Sequence, residues 1–161
     1  MKKIKDPEPP SGLSRLAFRL PIWLYRWGLG WIMGQRFLML THTGRKSGLA
    51  RQTVLEVVKP DPEHRTYYVA SGFGEKSDWY RNVMANTNVT IQVGRKRYPA
   101  QAERLSEEDA EDVLMDYARR HPATLHELAR FMGYQIDDTE EDYRALGRVL
   151  PMIAFRYNHS E

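Results

Sequence analysis

Short apolar and β-branched runs dominate the middle of this chain, at residues 36–42, 53–58, 66–70, 89–93 and 97–102. Only one short helical stretch, 77–84, falls among them, so the regular strand–helix–strand spacing of a parallel sheet is missing. The joints are turn-forming instead. Gly44–Gly48, the proline-punctuated 60–64 and the Gly94-Arg95-Lys96 triplet each reverse the chain within a few residues. A sixth run, 152–157, comes after a helical region. Five or six short antiparallel strands with peripheral helices predict an α+β protein built on a small β-barrel.

The later helices carry start signals. Ser106-Glu107-Glu108-Asp109 resembles a capping box opening a helix to about 120. Pro122 begins a second helix through 131, and Thr139-Glu140-Glu141-Asp142 opens a third that ends near Leu150-Pro151. In the shorter 77–84 stretch, Ser77 or Asp78 can cap. Residues 1–12, with Lys2, Lys3, Lys5, Pro7, Pro9 and Pro10, read as a loose tail. Residues 13–34 are amphipathic and aromatic, and 35–161 read as a single domain.

Within 13–34, Arg15, Arg19 and Arg26 recur, and Pro21, Gly28 and Gly30 interrupt the apolar run. Its uninterrupted length falls short of the ~20 residues that a spanning helix needs. No small-residue cleavage site follows it, which argues against a signal peptide. Trp23, Trp27 and Trp31 share one helical face. That face either lies on a membrane surface or packs over the core or a second subunit, and aromatic stripes at this spacing favour packing.

Composition narrows the function. A net charge of +3, from 24 basic and 21 acidic residues, is too mild to imply nucleic acid, and no nucleic-acid-binding signature is present. Without cysteine there are no disulfides, thiol nucleophiles or thiolate metal sites. The five histidines show no metal-ligand spacing, so no metal is expected. A cytoplasmic setting, at most at the inner face of the membrane, is compatible with this content.

Chemistry concentrates at Thr43-Gly44-Arg45-Lys46-Ser47-Gly48, at the exit of the first strand. Glycines let the backbone turn and present N–H groups, while Arg45, Lys46 and Ser47 add two cations and a hydroxyl. Such a turn suits a phosphate or carboxylate, although the same residues also suit a solvated hairpin. It is not a P-loop, because the Lys precedes the second glycine.

Three blocks in order carry a resemblance. They are residues 40–48 with Arg51 and Thr53, then Val69-Ala70-Ser71-Gly72-Phe73-Gly74, then Asp78-Trp79-Tyr80-Arg81-Asn82-Val83 with Ala85-Asn86. Together they resemble the deazaflavin-dependent nitroreductase and quinone reductase family. That resemblance implies a split β-barrel, FMN-binding-like, similar to flavin reductases and pyridoxamine-phosphate oxidases. It covers 36–104 closely and the final strand loosely.

The resemblance assigns Arg45, Lys46, Ser47 and Gly48 to the phosphate and acidic tail of a deazaflavin, coenzyme F420, with Arg51 beside them. It runs Thr53, Val54 and Leu55 along the ribityl chain and ring. Ala70, Ser71, Gly72, Phe73 and Gly74 would pass close by, Lys76 would add a cation for the tail, and Trp79 and Asn82 would border the pocket. A flat redox ring needs an apolar slot, donors at its polar edge and cations for its phosphate, which agrees with these residue types.

The acceptor side departs from the family. Where quinone-reducing relatives carry tyrosines near a Tyr-Pro pair, this chain reads His121-Pro122-Ala123-Thr124-Leu125-His126. Tyr117, His121 and Tyr134 are the candidate substitutes as polar or proton-donating groups. The expected activity is hydride transfer to a small hydrophobic or conjugated acceptor: a quinone, an enone or a nitro compound. Two alternatives stand beside it. One is an FMN-dependent reductase of the same barrel, and the other a non-enzymatic carrier of cofactor, lipid or haem, with His42 as a candidate haem ligand. Homodimers are expected by analogy with split-barrel relatives.

Overall fold

The computed structural model describes residues 1–4 and 34–158. Six strands form a closed barrel: β2 (Phe37–Thr43), β3 (Ala50–Asp61), β4 (Thr66–Ala70), β5 (Asn88–Val93), β6 (Lys96–Arg104) and β8 (Met152–Tyr157). They run β2-β3-β4-β8-β6-β5 around the barrel, and every neighbouring pair is antiparallel. This is the α+β barrel that the strand pattern predicts.

Among the described residues four α-helices accompany it: α1 (Asp78–Ala85), α2 (Glu107–Arg120), α3 (Pro122–Phe131) and α4 (Glu140–Val149). The expected caps form at two of them. Ser106 Oγ accepts from Asp109 N at 3.2 Å, and Thr139 Oγ1 from Asp142 N at 3.1 Å. Ser77 precedes α1 without a side-chain cap bond.

Strand alternation divides the apolar residues between two cores. Leu38 and Leu40 of β2, Val69 of β4, Val89 and Ile91 of β5, and Ile153 and Phe155 of β8 fill the barrel. Met152 of β8 instead joins Leu114, Leu125, Ala129, Leu146 and Leu150 in a helical layer. Alternation lets consecutive residues of β3 serve different cores, Val57 the barrel and Val58 the helices, and a register shift follows between Val57 and Lys59.

β3 is longer than the 53–58 run. It starts at Ala50 because the Gly44–Leu49 connection closes on itself, Gly44 N bonding Leu49 O at 2.8 Å. It continues past the bulge to Asp61, which caps a 3-10 turn at Pro62–His64. Lys2–Lys3 of the expected tail form a two-residue strand, β1, against β7 (Tyr134–Gln135). The remainder of that tail beyond residue 4 lies outside the described residues, as does the aromatic stretch 13–33 with its proposed membrane or subunit contact. No helix among the described residues is long and apolar enough to cross a membrane.

Candidate functional site

The Gly44–Leu49 connection sits where β2 leaves the barrel. Gly48, at φ +71°, turns the chain in a conformation that suits glycine, and its N–H donates to Gly44 O at 2.8 Å. Ser47 Oγ accepts from Leu49 N at 3.2 Å, so its hydroxyl helps to shape the turn. Lys46, Ser47 and Gly48 are exposed.

Arg45 is held where the others are not. Asn82 Oδ1 on α1 accepts from Arg45 N at 3.0 Å and from Arg45 Nη1 at 2.8 Å, and Arg45 Nη2 lies 3.3 Å from Asp78 Oδ1. Both Arg45 groups are donors, so the Asn82 oxygen must face them and its NH2 must face the other way. There it meets His42 Nδ1 at 3.2 Å. His42 is 5% exposed, and burial followed by the nearby Arg51 guanidinium pushes its pKa down to about 4, against an opposing pull from Asp78. It is therefore neutral at physiological pH, with Nδ1 an acceptor and the proton on Nε2.

Arg51 pairs with His42 across the β2–β3 ladder, and Thr53 and Leu55 follow opposite Leu40 and Leu38. Alternation places these three on the barrel-facing side of β3 and Val54, opposite Met39, on the other. Ala70 ends β4 against the helical core. Ser71 is fully buried, and its Oγ donates to Gly74 O at 2.6 Å, tying off the loop that follows. Trp79 is half-buried against the barrel core, edge-on to Tyr80 at 6.3 Å.

A cleft of about 890 Å³ opens beside this loop. Arg45, Gly72, Phe73, Gly74 and Lys76 of the expected cofactor residues line it, and so does Tyr134. A Cβ at Gly72 or Gly74 would meet no atom within 4 Å, so these positions leave the wall open. Five basic side chains line the cleft, Lys3, Arg45, Lys76, Arg81 and Arg104, against one carboxylate, Glu75. Glu75 is engaged by Arg104 Nη1 at 2.6 Å, and the same nitrogen reaches Tyr80 OH at 2.7 Å. Asp78 partly offsets Arg45 as well, and the lining keeps a positive excess, which suits an anionic ligand. Tyr80, Arg81 and Arg104 were not among the expected residues. Tyr80 and Arg81 adjoin Trp79 in sequence, but nothing local marks Arg104, whose partner Glu75 lies 29 residues away.

Tyr117 and His121 are elsewhere. They line a second cleft of about 520 Å³ with Gln35, Arg36, Glu56 and Arg120. Tyr117 OH donates to Glu56 Oε1 at 3.2 Å, and its ring lies 5.3 Å from that of His121. Burial, and then the Glu56 carboxylate, push the Tyr117 hydroxyl up to about 12, so it stays a neutral donor. The three candidate proton donors are thus divided, Tyr134 on the first cleft and the other two on the second. Among the described residues no cluster of His, Asp or Glu could hold a metal ion.

Residues 19–133 match the F420H(2)-dependent quinone reductase family. The chain belongs to that family. It is therefore a deazaflavin-dependent oxidoreductase whose cofactor is coenzyme F420, which sets the FMN and carrier alternatives aside. No curated protein matches the chain. Among solved structures it is similar to the F420-H2 dependent reductase FDR-A, at 24% identity over 76% of this chain and 96% of that one, with a TM-score of 0.54. A chain described as a domain-swapped dimer shares 20% identity over 90% of this chain and 100% of that one, with a TM-score of 0.56. A Clostridium acetobutylicum protein of the pyridoxinephosphate oxidase family, related to general stress protein 26, shares 10% identity over 85% and 84%, at 0.50. These neighbours establish the split-barrel fold.

The residues present fit F420. Its phosphate and carboxylates require several cations beside exposed backbone, and the first cleft offers Arg45, Lys76 and Arg81 beside two open glycines.

Proposed function

We propose that this chain uses reduced F420 to transfer hydride to a small conjugated acceptor, a quinone, an enone or a nitro compound. The observation that carries the cofactor half is the cationic first cleft, where Arg45 of the turn meets Lys76 and Arg81 of the loop and helix after β4. In this reading Arg45, Lys76 and Arg81 hold the phosphate and acidic tail, with Lys46 and Arg51 adding positive field at the rim. When bound, the reduced deazaflavin supplies a hydride, and the protein needs no nucleophile of its own.

Hydride transfer needs the acceptor in contact with the reduced ring, so the acceptor half rests on the same first cleft, which Tyr134 lines. There the Tyr134 hydroxyl can hydrogen-bond an acceptor oxygen as negative charge develops, whereas the single O–H of Tyr117 is already given to Glu56. Reduction of a quinone or enone consumes one hydride and one proton. The domain-swapped neighbour supports a homodimer, which sedimentation at two concentrations tests.

The reading is tested by titrating the purified protein with F420 and with FMN. Turnover is then followed by loss of the reduced F420 absorbance with quinone, enone and nitro acceptors. Tight binding of F420 with turnover of one acceptor class is expected. Preference for FMN, or F420 binding without turnover of any class, would overturn it.

A further inference from the structure

Arg45 reaches the first cleft from a turn whose other polar residues face solvent. A lone arginine on such a turn would sample many rotamers, and ordering it on binding a ligand would cost affinity. Here the cost is met in advance. Asn82 Oδ1 takes one donor from the Arg45 backbone and one from its guanidinium, while Asp78 takes another from Nη2. The guanidinium has five N–H donors, so most remain available to an anion.

Asn82 can do this only while its amide keeps one orientation, and that orientation, which the two Arg45 donors select, is supported from behind. A side-chain amide turned by 180° would aim NH2 at two donors and leave its oxygen against His42. His42 Nδ1, buried and accepting from Asn82 Nδ2 at 3.2 Å, stabilises the productive orientation. The chain of contacts thus runs from the barrel strand β2, through α1, to the ligand-facing turn. We propose that His42 is a positioning residue for F420 binding, acting through Asn82 to preorganise Arg45 at the edge of the cationic cleft.

The inference rests on the assignment of Arg45 to the cofactor anion, and the two fail differently. Charged groups facing His42 are Arg51 from β3 and Asp78 from α1, with Arg45 beyond Asn82 on the turn. Protonating His42 removes the acceptor and sets a third positive charge among them.

The test measures the dissociation constant of F420 by fluorescence, with thermal melting as a fold control, for wild type and three variants. Arg45→Ala is expected to weaken binding at least tenfold. His42→Leu, similar in volume but without an acceptor, is expected to weaken it roughly five- to tenfold. His42→Asn, whose Oδ1 can occupy the place of Nδ1, is expected to restore it to within twofold of wild type. On lowering the pH from 7 to 4, wild-type affinity should fall further than that of His42→Asn. If His42→Leu does not fold, this pH comparison decides.

No effect of Arg45→Ala would remove the anion assignment itself. A large effect of Arg45→Ala with no loss in His42→Leu, or with equal pH dependence in wild type and His42→Asn, would overturn the role of His42 alone.

Discussion

Asn82 Oδ1 accepts from both the backbone N–H and the guanidinium of Arg45, at 3.0 and 2.8 Å, although the two residues stand 37 apart in sequence. One amide therefore fixes the start of the turn and its principal cation together. Replacing Asn82 with Leu leaves the Arg45 N–H and the buried His42 nitrogen without these partners. The expected loss is about 1–3 kcal/mol of stability at pH 7 in urea denaturation. A loss below about 0.5 kcal/mol would show that water replaces the amide at no cost.

Cation removal at the turn tests the cofactor assignment by magnitude. Combined Arg45→Ala and Lys46→Ala substitution is expected to weaken F420 binding by about 2–4 kcal/mol if both side chains make charge-assisted contacts. Most of this should come from Arg45, which lines the cleft, whereas Lys46 is exposed. Unchanged affinity in the double variant would sink the assignment.

Stability should depend on pH through His42. Its folded pKa is lowered to about 4 from 6.5, so between these values the unfolded chain binds a proton that the folded chain does not. Stability from this group is full above about pH 6.5, declines as the pH falls, and levels off below about 4. The total is at most about 3 kcal/mol. Urea denaturation of wild type and His42→Asn at pH 7, 5.5 and 4 isolates it as the difference in slope. Parallel slopes would show that His42 is not held neutral.

Tyr117→Phe separates the two clefts. The ring stays and the hydroxyl that bonds Glu56 is lost, at about 1 kcal/mol of stability. With cofactor and acceptor both in the first cleft, F420 affinity and acceptor turnover should each stay within twofold. A several-fold drop in either would show that the second cleft takes part in the reaction.

Gly147 marks a close helix crossing. A Cβ there would lie 2.9 Å from Glu111 Cα and 3.2 Å from its nitrogen, both in the backbone of α2. Alanine would gain up to about 1 kcal/mol in helix propensity but force α2 and α4 apart, at about 1–3 kcal/mol. Gly147→Ala is expected to lower the melting temperature. A rise would mean that the helices separate freely.

Much of this protein is legible in its residues, for reasons that are local. The β-branched alternation of 53–58 and 89–93, the Ser106 and Thr139 caps, and the Gly44–Gly48 turn each announce themselves within a few positions. What escaped is the meeting of distant groups. Arg104 with Glu75, Glu56 with Tyr117, and His42 with Asn82 are contacts made only when the barrel brings their strands and helices together. His42 reads as a lone histidine in sequence, and only its buried place behind Asn82 gives it a task. The division of Tyr117 and His121 from Tyr134 likewise follows from how α2 and α3 lie against β3 and β7, which no spacing rule reports.

β8 pairs with β4 on one side and β6 on the other, and the five strands made before it form an open sheet in the order β4-β3-β2-β5-β6. As the chain leaves the ribosome, that sheet has two unpaired edges and an uncovered apolar interior until Met152–Tyr157 emerges. Closure thus waits on six residues that border the first cleft, Ile153 pairing with Arg104 and Met152 following Pro151. Lesions in this strand, such as Phe155→Asp, should be read out as aggregation of nascent protein before any catalytic defect can be seen.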